Sequence, residues 1–105
     1  MLVCGMEFGP ILRALRIKAG IGIKRLAPEL GVSYSYVSKL ENNEILPSAE
    51  LVERVAHYFE YDPDYLMLSA GKVPKEILAI LRENPDDALE FLRKRFGSKN
   101  GATHD

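Results

Sequence analysis

The chain has 105 residues, 47% of them hydrophobic, and a formal net charge of −1; it can bury one core as a small globular domain, with at most a short appendage. A single cysteine, Cys4, excludes an intramolecular disulfide framework, and without a recognisable secretion signal the expected setting is cytoplasmic. The opening MLVCG is only loosely like a lipoprotein cleavage site, because the three residues before Cys4 supply neither a basic nor an apolar segment. No apolar run approaches the roughly 18 to 20 residues that span a bilayer, so no membrane association is expected. The charge is unevenly spread: residues 1–47 carry six Lys/Arg against four Asp/Glu, and residues 48–105 carry eight against eleven. That modest polarity does not by itself announce a nucleic-acid partner.

In chain order, helical segments follow one another at short spacing, with the only strand-like pattern in residues 31–48. The first is expected from residue 9 or 10 to 19, with Ile11, Leu12 and Leu15 on one face, Pro10 near the start and Gly20 as the stop. The second, about 23–30, buries Leu26, Ala27 and Leu30 and ends at Gly31. Next comes "GVSYSYVSKLENNEILPS", residues 31–48, where serine alternates with β-branched and aromatic residues as in a half-buried strand. Ser48 then caps a helix over 49–59 with a stripe of Leu51, Val52, Val55, Ala56 and Phe59. Asp62-Pro63-Asp64 starts a short helix carrying Tyr65, Leu66 and Leu68, closed by Gly71. Pro74 opens a further amphipathic helix with Ile77, Leu78 and Leu81. Asn84-Pro85-Asp86-Asp87 opens another, with Ala88, Leu89, Leu92 and Phe96. The polar stretch 97–105 is expected to be disordered.

The ambiguous third segment resolves when residues 23–40 are taken together as two helices and a tight turn. Ala27 is small enough for a close helix crossing, and Gly31 can take the positive φ of a sharp turn. Leu26, Leu30, Val32, Val37 and Leu40 then face a crevice, while Tyr34, Ser35, Ser38 and Lys39 face out. This is the spacing of a helix-turn-helix. Val32 and Ser33 finish the turn, and Ser33 can cap the helix that follows.

From about residue 8 to 68 the sequence resembles the phage repressor and Cro (XRE) type of helix-turn-helix DNA-binding domain. The matching residues are "LRALRIKAG" at 12–20, "LAPELGVSYSYVSKLEN" at 26–42, "PS" at 47–48, and then "LVERVAHYF" and "DPDYL". The resemblance implies an all-α, five-helix, lambda-repressor-like domain at 1–71. To this the chain adds two amphipathic helices at 72–96, a dimerisation appendage, and the tail at 97–105. It further implies a sequence-specific DNA-binding transcriptional regulator, a repressor that binds a palindromic operator on double-stranded DNA as a homodimer. In such a domain a recognition helix, here about 33–42, enters the major groove. Tyr34, Ser35, Ser38 and Lys39 fall on the base-reading positions; Lys39 can donate to guanine, the serines can donate or accept, and the Tyr34 ring can meet a thymine methyl. Backbone amides near Ile23 and Lys24, with Arg25, are expected to hold one phosphate, and Asn42 and Asn43 another. Arg16 and Glu41 match a family salt bridge between the first and third helices.

The chain departs from the family pattern in several places. Gly22 and Ile23 stand where a Ser or Thr followed by Gln is common, so Lys24 or Arg25 must substitute for the missing amide side chain. Pro28 lies inside the second helix, where it deletes a backbone bond and crowds the Lys24 carbonyl, so a distorted or tightened first turn is expected. Asn43 replaces a common glycine, which its tolerance of the left-handed region allows. Glu44, Ile45 and Leu46 replace residues that are often basic, leaving a weakly binding monomer for which two copies on a twofold operator are the remedy.

Plainer roles account for the other candidates. Tyr36, Tyr58, Tyr61 and Tyr65 are expected to pack with wet hydroxyls. His57 has no Cys or second His at ligand spacing, so no metal site is expected. Arg93-Lys94-Arg95 complements the C-terminal pole of the last helix as Asp86 and Asp87 do its N-terminal pole. No nucleophile-base pair, phosphate loop or cofactor motif can be assembled, and no catalysis is expected. The apolar surplus of the last two helices, including Ile80 and Phe91, points to pairing with a second subunit, with packing on the core as the other arrangement. The alternative function is an antitoxin or accessory module that keeps the DNA-binding domain and engages a protein partner through 72–96.

Overall fold

A computed structural model describes residues 7–97; Cys4 and the tail beyond Gly97 lie outside them. Among the described residues there are seven α-helices and no strand: α1 Phe8–Ala19, α2 Ile23–Leu30, α3 Tyr34–Glu41, α4 Ala49–Phe59, α5 Pro63–Ser69, α6 Lys75–Glu83 and α7 Pro85–Phe96. The chain divides into two compact units, one ending at Lys72 and the other beginning at Val73.

Local chemistry sets most of the helix boundaries in the first unit. Ser33 Oγ accepts from the Tyr36 N–H at 3.1 Å and Ser48 Oγ from the Leu51 N–H at 3.1 Å. Asp62 Oδ1 accepts from Asp64 and Tyr65 N–H at 2.9 and 3.3 Å, with Pro63 between as the first helical residue. Each such cap satisfies an orphan amide and stabilises its helix by about 1 kcal/mol. The run 34–41, with its strand-like alternation and poor helix propensity, is a helix because Val37 and Leu40, three apart, both reach the core. α4 ends in a left-handed residue that is not glycine, Glu60 at φ 54°, and the following Tyr61 N–H closes the turn on the Ala56 carbonyl at 2.8 Å.

Burial is concentrated in this unit. Leu12, Leu26, Leu30, Val37, Leu40, Val52, Val55 and Leu66 are all fully enclosed, drawing one core from all five helices. Each contributes about 1.5 to 3 kcal/mol of transfer free energy, enough to override weak local preferences. Pro28 illustrates this: α2 runs unbroken through it, with Leu26, Ala27 and Leu30 buried on its inner face. The first turn is tightened as expected, because the Arg25 and Leu26 N–H groups share the Gly22 carbonyl at 3.2 and 3.0 Å. In the second unit, neither α6 nor α7 contains a buried residue.

Candidate nucleic-acid interface

The α2–α3 corner is built on backbone geometry. Gly31 sits at φ +74°, in the left-handed region, and lets the chain reverse. Its N–H donates to the Pro28 carbonyl, and the Val32 N–H to the Ala27 carbonyl, both at 3.0 Å. These bonds satisfy the last carbonyls of α2. With Ala27 buried at the crossing, α3 is fixed against α2.

That attachment sorts the side chains of α3. Val37, Leu40 and Glu41 turn inward and Tyr36 packs against the core. Tyr34 and its neighbours Ser35 and Lys39 are exposed, and Ser38 is half-buried beside them. Because 34, 35, 38 and 39 are one turn apart in pairs, they form a single outward face. At the start of α2, Gly22 supplies no side-chain cap, so the helix's first-turn amides, its positive pole, have no capping side chain laid over them. The Ile23 side chain packs against the core, leaving its backbone as the group on offer, while Lys24 and Arg25 are exposed.

Three polar ties hold this corner. From α1, Arg16 donates twice to Glu41, Nε to Oε2 at 2.6 Å and Nη2 to Oε1 at 3.0 Å, and its Nη1 donates to the Ile21 carbonyl at 3.1 Å. The Glu41 side chain is only 4% exposed, so this planar fork is what satisfies a carboxylate inside the protein. Its hydrogen bond to Glu41, with the attraction of that charge, pushes the already basic Arg16 further up. A raised guanidinium stabilises the fold below its unfolded value and loses that contribution only in strong alkali, so the tie holds its cation at any ordinary pH. From the far end of α3, Asn43, at φ 60°, donates from Nδ2 to Glu7 Oε1 at 2.7 Å and accepts from the Gly9 N–H at 3.2 Å. From α4, Arg54 Nη1 donates to the Leu30 carbonyl at 2.6 Å. The corner is therefore clamped to α1 twice and to α4 once.

Against known proteins, the helix-turn-helix family matches residues 12–66, more than half of the chain. The chain belongs to that family. It is a DNA-binding transcriptional regulator of the XRE helix-turn-helix type, and not an enzyme. Among its relatives, the ImmF control region 10 kDa protein of Bacillus phage phi105 is 28% identical over 72 residues, which make up 69% of this chain and 80% of that protein. Among solved structures, the clp gene regulator ClgR from Corynebacterium glutamicum aligns with a TM-score of 0.54 at 24% identity, over 87% of this chain and 92% of that one, a likeness of fold. No described helix is long and apolar enough to cross a membrane.

Within the helix-turn-helix, the expected Arg16–Glu41 pair is present, and Tyr34, Ser35, Ser38 and Lys39 come together on one face. Asn42 and Asn43 part company: both are exposed, but the Asn43 amide is engaged, its Oδ1 capping the Gly9 N–H of α1 and its Nδ2 donating to the Glu7 carboxylate. Of the tyrosines, Tyr36 and Tyr61 pack against the core, while Tyr65 is 54% exposed and Tyr58 stands edge-on to Phe59 at the surface. Arg54 and Gly9 are supporting residues that sequence reasoning missed. A β-carbon on Gly9 would lie 2.5 Å from both Asn43 Oδ1 and the Leu40 carbonyl oxygen, so α1 and the end of α3 meet there at backbone distance. A glycine inside a helix costs stability and hints at such an approach; nothing in the sequence marks Arg54.

Proposed function

We propose that the protein is an autoregulating cytoplasmic repressor that binds a short palindromic operator as a homodimer. The observation that carries this reading is the single exposed face of Tyr34, Ser35, Ser38 and Lys39 on a helix whose other sides are buried or clamped. Such a helix can enter a major groove without rearrangement, Lys39 and the serines reading base edges and Tyr34 meeting a methyl. The open N-terminal amides of α2, with Lys24 and Arg25, supply the phosphate contact that sets its register. Exposed Asn42 supports the second phosphate contact; Asn43 contributes by holding the end of α3 in place. The phage relative is named for a control region, in keeping with a regulator of its own locus.

Selection of bound sites from a random duplex pool is expected to return a palindrome whose half-sites lie about 34 Å apart, one helical turn. Its own promoter should be retarded in preference to unrelated fragments at moderate salt; no preference for any fragment would sink the repressor reading. Lys39→Ala should cost about 1 to 3 kcal/mol and relax one base-pair preference, whereas Lys24→Ala should weaken every sequence alike and lower the salt slope by about one. Uniform weakening by both variants would show that α3 is misassigned as the reader. The second reading, an antitoxin or accessory subunit that engages a protein through 72–96, is favoured by the lack of buried residues in α6 and α7. It predicts a second polypeptide that co-purifies with the full chain and is lost on truncation after Gly71.

A further inference from the structure

The outward face of α3 adjoins α1, and helical geometry decides which residue of α1 stands beside it. At roughly 100° per residue, Gly9 and Arg16 fall almost on one line along α1, about 20° apart. That line meets the end of α3, Gly9 at the Leu40 and Glu41 carbonyls and Arg16 at the Glu41 carboxylate. On one side of the line lies the core, with Leu12 and Phe8 buried in it. The first position on the other side is Arg13, roughly 40° from Gly9, and it is exposed. α3 repeats this order about Glu41. Val37 and Leu40 lie on its core side, and on its outer side follow Tyr34, half-buried Ser38 and exposed Asn42. Two helices that touch along a line, with one core on one side of it, turn their other flanks to the same side. Arg13 and the Ser38–Asn42 flank of α3 therefore open onto one surface.

The charges say what Arg13 meets there. Among the described residues no carboxylate pairs with it, and Glu41, the carboxylate in that seam, is taken up by Arg16. A helix in the major groove lies between two walls of phosphate, and cations on its supports fix its register there. The stretch that follows α3 offers Glu44, Ile45 and Leu46, which can neutralise no phosphate. The exposed cations beside the reading face are Lys24 and Arg25 at the start of α2, and Arg13 on α1.

We infer that Arg13 contacts DNA: its guanidinium takes a backbone phosphate on the α1 side of the groove, beside the Ser38–Asn42 flank of α3. It positions α3 and reads no base. This rests on the reading of α3 as the groove-entering helix and adds a contact and a side to it. The charged grip on the backbone comes from α1 and α2, and the stretch after α3 contributes no cation to it.

The test measures how binding of the full chain depends on salt, on a duplex carrying one selected half-site and on an unrelated duplex. Each neutralised phosphate contributes about 0.9 to the slope of log K against log salt. R13A should lower the slope by about 0.9 per bound subunit on both duplexes, a loss of roughly eightfold in affinity at 0.1 M salt, at an unchanged melting temperature. R13K should restore the slope, which a merely structural role would not move. Lys18 is equally exposed and basic but lies roughly 180° from Gly9, across a helix about 10 Å wide, one screening length at that salt. K18A should therefore keep the wild-type slope. An R13A slope equal to wild type, equal reductions in R13A and K18A, or a slope that R13K does not restore would overturn the inference. If site selection returns no preferred sequence, the repressor reading fails, and the unrelated duplex still decides Arg13. Should Lys39→Ala weaken both duplexes alike while R13A lowers the slope, the base-reading assignment fails and the Arg13 contact stands.

Discussion

Both units of the chain are made of amphipathic helices closed by caps and prolines, yet only one of them encloses anything. In the first, five helices approach from different directions, and residues such as Leu12, Leu40 and Val55 lose all contact with solvent. In the second, two helices are joined through Asn84 and every large apolar residue but Leu81 keeps at least 40% of its surface. Two cylinders touch along a line, so a helix pair shields only one stripe of each, whereas five can surround a volume. Amphipathicity specifies that a face must be covered; the number of partners decides whether it is.

The comparison breaks most visibly if equivalent leucines are truncated. Leu40→Ala should destabilise the first unit by about 3 to 5 kcal/mol, since its neighbours cannot fill the space. Leu92→Ala should change the stability of the dilute chain by less than about 1 kcal/mol, as suits a side chain 40% exposed. Urea denaturation of both variants checks this, and equal losses would mean that the α6–α7 pair is as well enclosed as the core.

Next in size is Arg16→Ala, which strands the Glu41 carboxylate inside the protein and should cost about 3 kcal/mol, together with a loss of DNA affinity as α3 loosens. An unchanged melting temperature would show that the clamp orients α3 without stabilising it. Smaller again, Gly9→Ala should cost about 2 kcal/mol, because the new methyl meets the Leu40 and Glu41 carbonyl oxygens as well as the Asn43 side chain, and the backbone cannot turn aside. A neutral result would mean that α1 can slide on α3, and amide exchange at Gly9 would then be fast in wild type.

The helices themselves were legible in the sequence, because the signals that make them are local. Gly20 and Gly31 stop α1 and α2, Ser33, Ser48 and Asp62 start α3, α4 and α5, and apolar residues three and four apart mark the faces between. Even the strand-like run 34–41 could be assigned once the crevice residues Leu26, Leu30, Val37 and Leu40 were considered together. The Arg16–Glu41 tie came from family resemblance rather than from any local rule, since 25 residues separate its partners.

By itself, then, the sequence determined an all-helical chain, the outward set Tyr34, Ser35, Ser38 and Lys39, and two terminal helices with surplus apolar surface. The helices follow from periodicity and capping within a few residues, and the outward set from taking Leu26, Leu30, Val37 and Leu40 together as one crevice. Only the tertiary structure decided that Asn43 spends its amide on Glu7 and Gly9, that Arg54 closes the end of α2, and that Gly9 is where two backbones meet. Each of those joins residues 24 to 36 positions apart, and a hydrogen bond between distant positions leaves no period in the sequence. It exists because the buried core has already brought the two backbones within reach.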